Sequence, residues 1–548
     1  MEKQDFCVKI AGAAGEGIMT TGLLLSKTVG RHGWYVFDYP EYPSLIRGGH
    51  NTYQIVAGKN PVYCQSTKSD VFVALNKDGL DLHQGELTEG SILLYDKEND
   101  KIDISNYKFG AKAIDLPMVK LAEGVGGKDV MGNNVALGAC IYILGLDLAV
   151  LDQVIADVFA DKSGEVIQLN QKAAKAGYDF AQKLGVQPLL GVGPLKKQEN
   201  RLLTMTGNEA IALGALAGGL QFYAAYPMTP SSSILHFLAD KASKAKIVVK
   251  HAEDEISVVN MALGASFAGA RAMTGTSGGG FCYMVEALGL AGIADLPLVI
   301  VESMRPSPAL GMPTWTEQGD LNFVINASHG EFARVVLAPG DAQEAFELSR
   351  KAMELSQKYR VPVIILSDKY LSESRYCFNL ETKVFTNNLS NVIQPLITNS
   401  YEHDDRGFSS EESETRTSQV KKRLAKLNTL QQEIPPQFYK EEPNSKLTII
   451  SFGSTKGSIL QVQKELKSKG IPISMLNLSW IWPFPIEQVN QVISKSKNVV
   501  VVEGNSQGQL AQLIASQTGF ICKNKLNRFD GRPFYAEETI EYVKGLKI

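Results

Sequence analysis

VKHAEDEISVVNMALGASFAGARAMTGTSGGGF, from Val249 to Phe281, holds a strand end, three acids, an uncharged helix and a glycine-rich turn in one run. Ile247, Val248 and Val249 form a short β-branched lead that breaks at His251. Glu253, Asp254 and Glu255 follow, and Ile256–Ala268 then carries neither a charge nor a continuous polar stripe. That pattern reads as a helix buried on nearly all sides, opened by acids that complement the positive end of its dipole. A carboxylate at such a start loses water, and a desolvated carboxyl tends to hold its proton. Pointing into a cleft it can do proton chemistry, whereas dipole complementarity alone explains an isolated acid triplet. Glu255 is the strongest functional candidate of the three because it adjoins the apolar run.

Outward from this stretch, four strand ends carry polar groups. Leu220–Ala225 leads into Tyr226-Pro-Met-Thr229-Pro230-Ser, Ile247–Lys250 into His251 and the acids, Ala272–Gly275 into Thr276-Ser-Gly278-Gly279-Gly280, and Leu298–Val301 into Glu302-Ser-Met-Arg305. In a parallel sheet such loops share one edge, where ligands bind. Thr229 before Pro230 reads as a helix N-cap. A helix start with a free hydroxyl also receives a carboxylate, and Arg305 supplies that carboxylate with a bidentate partner. The Gly278–Gly280 turn lets backbone come close to a ligand, as many strand–helix turns do.

The amino-terminal region, 1–190, reads as a separate α/β domain. Phe6–Ile10 is a strand, Gly12-Ala-Ala-Gly15-Glu-Gly17 a tight turn, Ile18–Val29 a helix and Trp34–Phe37 a strand ending at Asp38. The arrangement is similar to a dinucleotide fold, but its GxxGxG spacing is not GxGxxG, and glycine turns at such junctions are common for backbone reasons. Arg47 with Gly48 and Gly49 is a phosphate-contact candidate and equally an ordinary loop arginine.

With 548 residues, three or four domains are the expectation. A net charge of −3 without long single-sign blocks makes nucleic acid an unexpected partner. Six scattered cysteines form neither a disulfide framework nor a zinc or iron–sulfur set, which fits a reducing, cytoplasmic setting. The start lacks a signal-peptide pattern, and the apolar windows are broken by polar residues, so no membrane span is expected. Pro188–Gln198 reads as a linker, 200–380 as the second α/β domain, 381–445 as an inter-domain strap with a basic helix at Val420–Leu430, and 446–548 as a third α/β unit. Recurrent strand–helix alternation predicts doubly wound sheets in all three. No histidine pair or acid cluster has metal-ligand spacing, so no metal site is proposed on this chain.

Taken as a set, YPMTPSS, AEDEISVVNMALGASFAGARAMTGTSGGGF, RPSPALGMPTWTEQGDL and the carboxyl-terminal ISFGST, VEGNSQGQL and DGRPF resemble the α subunit of a 2-oxoacid:ferredoxin oxidoreductase. GAAGEGI and IRGGHNTYQIV resemble that family's γ domain, fused here at the amino end. The resemblance implies a γ domain, a pyrimidine-type thiamine diphosphate domain and a transketolase C-terminal-like domain, in that order. It implies oxidative decarboxylation of a 2-oxoacid, taken as 2-oxoglutarate with pyruvate and branched-chain acids as rivals. Coenzyme A is the acyl acceptor and ferredoxin takes the electrons.

The resemblance also assigns residues. Glu255 matches the glutamate that hydrogen-bonds the aminopyrimidine ring and helps activate the coenzyme. Thr229 and Arg305 match positions near the substrate carboxylate and carbonyl. Gly278 and Gly279 lie in the loop that approaches the coenzyme, and Gly12, Gly15, Gly17 and Arg47 are candidate contacts to coenzyme A. Where TSGPGF is expected the chain reads TSGGGF, and it has no GDG motif and no iron–sulfur cysteine set. In the family these belong to the β subunit with Mg2+ and the cluster, so the chain is expected to work only in a heteromer. Competing readings are a nucleotide-dependent dehydrogenase built on residues 1–190 and a non-catalytic scaffold.

Overall fold

Three sheets carry the strands of the computed structural model, which describes residues 3–45, 48–98, 102–189, 191–195, 202–379 and 397–546. Arg47 and residues 381–396 of the expected strap lie outside the described residues, as do positions 190 and 196–198 of the expected linker. Two compact units form: Met1–Thr204 with Ser374–Leu380, and Met205–Glu373 with Glu381–Ile548.

In the first unit the strands are β1 (Asp5–Ala14), β2 (Tyr35–Glu41), β3 (Gly48–Gly58), β4 (Ser69–Ala74), β5 (Leu87–Tyr95), β6 (Lys112–Asp115) and β7 (Leu202–Thr206). Their order is β6-β5-β4-β1-β3-β2, then the strand Arg375–Asn379, then β7. The parallel half, β6-β5-β4-β1, fits the expected winding. The other half does not: β3 lies antiparallel between β1 and β2, so the strands flanking the first helix are not neighbours. Period-two alternation still sorts the side chains. Phe6, Val8, Ile10, Ile55, Val71 and Val73 share one core with Leu24, Leu25 and Val29 of the helix Ile18–Arg31.

The second unit's main sheet contains β8 (Phe222–Ala225), β9 (Val248–His251), β10 (Ala272–Thr276), β11 (Leu298–Met304), β12 (Val335–Leu337) and β13 (Pro362–Asp368). The order is β12-β13-β11-β10-β8-β9, all parallel, with the short strand Trp480–Trp482 added antiparallel beside β12. The carboxyl ends of β8, β9, β10 and β11 therefore share an edge. The third sheet is built from Phe438–Lys440, Ser474–Leu478, Thr448–Phe452, Val499–Glu503 and Asn524–Asn527 in that order, parallel except for the first. It shares one core with the main sheet, since Ile450, Phe452 and Leu476 join Ile300, Ile364 and Leu366.

The helix at the centre of the opening stretch is Glu255–Phe267. It is not buried on nearly all sides. Val258, Val259, Ala262, Leu263 and Ser266 face the core, whereas Ile256, Met261 and Phe267 are 51%, 43% and 46% exposed. A missing polar stripe marks surface kept from water, but it does not say whether this polypeptide or another does the covering. The basic helix of the strap is longer than expected, Ser413–Gln432, and is held by ion pairs more than by apolar burial.

Candidate active site

Of the three acids, only Glu255 is buried, at 7% exposure. Asp254 is the N-cap: its carboxylate accepts from the Ser257 N–H at 2.7 Å, and that bond holds its carboxyl below the usual carboxylate range. Glu255 then sits at the first helical position with Oε1 buried and without a hydrogen-bond partner. A Cβ built on Gly280 would lie 2.8 Å from that oxygen and 2.1 Å from Oγ1 of Thr276. Only glycine allows the Glu255 carboxyl, Thr276 and the next helix to come this close.

The glycine-rich turn is not a loop throughout, because the helix Gly278–Ile293 already begins at Gly278 with Ser277 as its cap. Gly278 makes room in a second direction, since a Cβ there would meet Oδ2 of Asp320 at 2.4 Å. Gly279 is half-buried between these two close approaches.

Thr229 is not the N-cap. The helix starts at Ser232, Ser231 precedes it, and the Thr229–Pro230 peptide is cis. What the structure does bring together is Thr229 and Arg305: the guanidinium donates from Nη1 to the Thr229 carbonyl at 2.8 Å. Arg305 is 6% exposed, and burial lowers its pKa against the opposing pull of Glu302. Met228 bridges to the other loops, for its Sδ lies 3.8 Å from Oγ1 of Thr276. Contacts thus run from Glu255 through the Gly280 and Thr276 positions to Met228, Thr229 and Arg305.

Glu302 is the site feature that the sequence reading passed over. The sequence pattern ends the strand at Val301, whereas the strand continues to Met304, and its parity sets Glu302 with Leu298, Ile300 and Met304 on the core face. The residue is 0% exposed, and neither carboxyl oxygen has a hydrogen-bond partner. A leucine there would contribute ~1.5–3 kcal/mol by burial. A polar group buried without partners costs about 2–7 kcal/mol instead. Burial pushes the Glu302 carboxyl well above its ordinary range, and Asp320, Asp368 and Cys282 push the same way while Arg305 opposes them. Burial likewise moves Asp320 up to about 6. Glu317 rises to about 7 through burial and then Asp320.

In the first unit, Gly15 (φ 104°) and Gly17 (φ 76°) shape the turn expected between β1 and the helix Ile18–Arg31, whose start has no side-chain cap. The interior of the turn is filled by its own acid. Glu16 Oε2 accepts from the Ala13 N–H at 2.6 Å, and a Cβ on Gly12 would meet that oxygen at 2.3 Å. Asp38, the acid a dinucleotide reading would assign to a ribose, is buried and accepts from Ser26 at 2.5 Å. Both observations weigh against the dehydrogenase reading.

Residues 7–180 match the family described as pyruvate ferredoxin/flavodoxin oxidoreductase. Residues 213–424 match that described as pyruvate flavodoxin/ferredoxin oxidoreductase, thiamine diphosphate-binding, and 445–539 the pyruvate:ferredoxin oxidoreductase core domain II. The 2-oxoglutarate synthase subunit KorA of Archaeoglobus fulgidus is 32% identical over 345 aligned residues, covering 62% of this chain and 97% of that one. The chain belongs to the 2-oxoacid:ferredoxin oxidoreductase α-subunit family.

A full-length member, the 2-oxoacid:ferredoxin oxidoreductase subunit alpha of Saccharolobus solfataricus, is 29% identical over 98% of this chain and 97% of its own. Among solved structures, the 2-oxoglutarate:ferredoxin oxidoreductase from Magnetococcus marinus, with 2-oxoglutarate, coenzyme A and succinyl-CoA bound, superimposes with a TM-score of 0.89 at 29% identity, covering 99% of each chain. The expected α/β class and the enzyme class are therefore those of the family, and the edge from Glu255 to Arg305 lies within its thiamine diphosphate-binding region. No described helix is long and apolar enough to cross a membrane.

Proposed function

We propose that this chain is the α subunit of a thiamine diphosphate-dependent 2-oxoglutarate:ferredoxin oxidoreductase that forms succinyl-CoA and carbon dioxide, and that Glu255 is its coenzyme-facing acid. The observation that carries the reading is the orphaned Glu255 Oε1, buried beside the gap that Gly280 leaves open. A buried acceptor without a donor fits a ring nitrogen or its proton. Gly278 and Gly279 give the ring access to backbone. When bound, thiamine diphosphate supplies the electron sink that lets a 2-oxoacid lose carbon dioxide.

This chain's own contribution is positional and protonic. Glu255 offers its buried, unpartnered Oε1 to the ring as the group that takes and returns a proton. Arg305, whose Nη1 is already directed at the Thr229 carbonyl, orients the substrate carboxylate, with Thr229 as the second residue of that clamp. The coenzyme's diphosphate and Mg2+, together with the iron–sulfur cluster that passes electrons to ferredoxin, belong in this reading to a β subunit. The subunit names of the relatives and the exposed apolar face of the Glu255 helix support that division. Coenzyme A contacts the first unit at the open Gly15 and the uncapped helix start after Gly17, while Glu16 keeps Gly12 out of the contact. Arg47 is proposed beside it from the sequence alone. The setting is the cytoplasm.

The test is Glu255→Gln in the complex co-expressed with the neighbouring gene. Viologen reduction is assayed with coenzyme A against 2-oxoglutarate, pyruvate and branched-chain 2-oxoacids. Turnover falls by about 10²–10⁴ if Glu255 is the proton-handling acid. Near-normal turnover overturns the assignment in favour of a scaffold, and a preference for pyruvate overturns the substrate.

A further inference from the structure

Glu302 stands in register opposite Thr276 on β10 and Leu366 on β13, one strand from the threonine that flanks the Glu255 carboxyl. Neighbouring strands lie about 4.8 Å apart, so the two acids serve the same edge from different layers. The charged and titratable groups facing Glu302 come from each element around it: Asp320 ahead of the helix Leu321–Asn326, Asp368 at the end of β13, Cys282 on the helix Gly278–Ile293, and Arg305 beyond its own strand. Acids outnumber the cation, and Arg305 already spends one donor on Thr229.

Two hydroxyls independently mark the place as built for an occupant. Thr274 and Ser277 are 0% exposed, and Oγ1 of the first and Oγ of the second have no hydrogen-bond partner. Oδ2 of Asp320, in the space Gly278 leaves free, is likewise buried and unpartnered. An edge with unpartnered buried oxygens and an excess of acid is complementary to a cation, and among organic groups to a charged heteroaromatic ring.

We propose that Glu302 is a titrating positioning residue, which carries its proton while the Thr276–Gly280 edge is empty and releases it when a coenzyme bearing a cationic ring docks there with its other ring against Glu255. The proposal rests on the reading of this edge as half of a thiamine diphosphate site, whose thiazolium brings one positive charge. The exchange balances: the ring enters with its charge, the carboxyl becomes a carboxylate, and the proton leaves to solvent. A leucine would fill the position but could not make this compensation, which accounts for an acid in a hydrocarbon layer.

The test is calorimetric titration of thiamine diphosphate with magnesium into the cofactor-stripped heteromeric complex, at one pH in two buffers of different ionisation enthalpy. Wild type releases on the order of one proton per site, and its affinity tightens by roughly tenfold per pH unit over the range where free Glu302 is protonated. Glu302→Gln still binds but loses both the release and the pH dependence, while Asp320→Asn keeps both. Thiamine thiazolone diphosphate, whose ring is uncharged, binds without releasing a proton. Release that persists in Glu302→Gln, that vanishes only in Asp320→Asn, or that the uncharged analogue also provokes overturns the proposal. Binding by wild type without release sinks this inference alone, whereas no binding at all sinks the functional reading with it.

Discussion

Arg305 reaches back from the end of β11 and donates through Nη1 to the main-chain carbonyl of Thr229, 2.8 Å away at the end of β8. The bond pins the guanidinium plane while leaving its other donors for an anion. A charge-assisted hydrogen bond is worth about 1.5–3 kcal/mol, so Arg305→Ala is expected to raise KM for the 2-oxoacid roughly ten- to hundredfold. Arg305→Lys keeps the charge without the fork and falls between. Steady-state kinetics with varied 2-oxoacid check this, and an unchanged KM in the alanine variant removes Arg305 from the substrate site.

Gly280→Ala tests the close approach. The added Cβ would sit 2.1 Å from Oγ1 of Thr276 and 2.8 Å from Cγ and Oε1 of Glu255, inside any real contact distance. Overpacking of this kind costs about 1–3 kcal/mol. Here relief comes most easily by pushing the Glu255 carboxyl aside. The expected result is a chain that still folds, with a lowered melting temperature, and binds thiamine diphosphate at least tenfold more weakly in the assembled complex. Coenzyme binding at wild-type affinity would show that Glu255 does not need its present position.

Which parts of the site are legible in the sequence follows from what local pattern encodes. Strand ends of a parallel sheet line up on one edge whatever their spacing in the chain, so the loops at Thr229 and Arg305 meet. The insertion of β3 between β1 and β2 is a long-range pairing that no local pattern records. Thr229 before a proline has the composition of an N-cap, yet the backbone delays the helix to Ser232. Glu302 escaped because an acid after an apolar run signals a strand end, and only the parity of Leu298, Ile300 and Met304 reveals the core face. The Glu255 helix shows the converse limit, since uniform apolarity is written in the sequence but the identity of the covering surface is not.

The strap offers a pH prediction. Glu402 accepts from both terminal nitrogens of Arg423, at 2.9 and 2.8 Å, and from Arg416 at 2.6 Å. The Arg423 hydrogen bonds lead in holding its carboxyl down to about 2, from an ordinary 4.5. A carboxyl depressed in the folded state stabilises fully above its unfolded pKa and loses that contribution as pH falls through the folded one. Packing of the turn at Glu402 against the helix Ser413–Gln432 is therefore expected to be constant above about pH 4.5 and to weaken progressively toward pH 2. Glu402→Gln should abolish that dependence and loosen this packing already at neutral pH. Amide hydrogen exchange of the helix Ser413–Gln432 reads both, and a profile identical in wild type and variant would show that the pairs do not stabilise this packing.

The outward face of the Glu255 helix carries the last prediction. Ile256, Met261 and Phe267 are large, apolar and about half exposed, on the same helix whose inner face is fully packed. Tyr283, on the next helix, adds a fourth at 62% exposure. Large apolar side chains left open next to the buried Glu255 are the pattern of a subunit interface, where a few large residues carry most of the binding energy. Met261→Glu and Phe267→Glu are therefore expected to leave the melting temperature of the isolated chain within a few degrees of wild type, because neither side chain is part of its core. In co-expression the same variants should weaken assembly by tenfold or more, with loss of viologen reduction in proportion to lost complex. Sedimentation of the co-purified complex separates the two effects: intact assembly with both glutamates in place would mean that the partner docks elsewhere, and that this face is covered by something other than the subunit that completes the site.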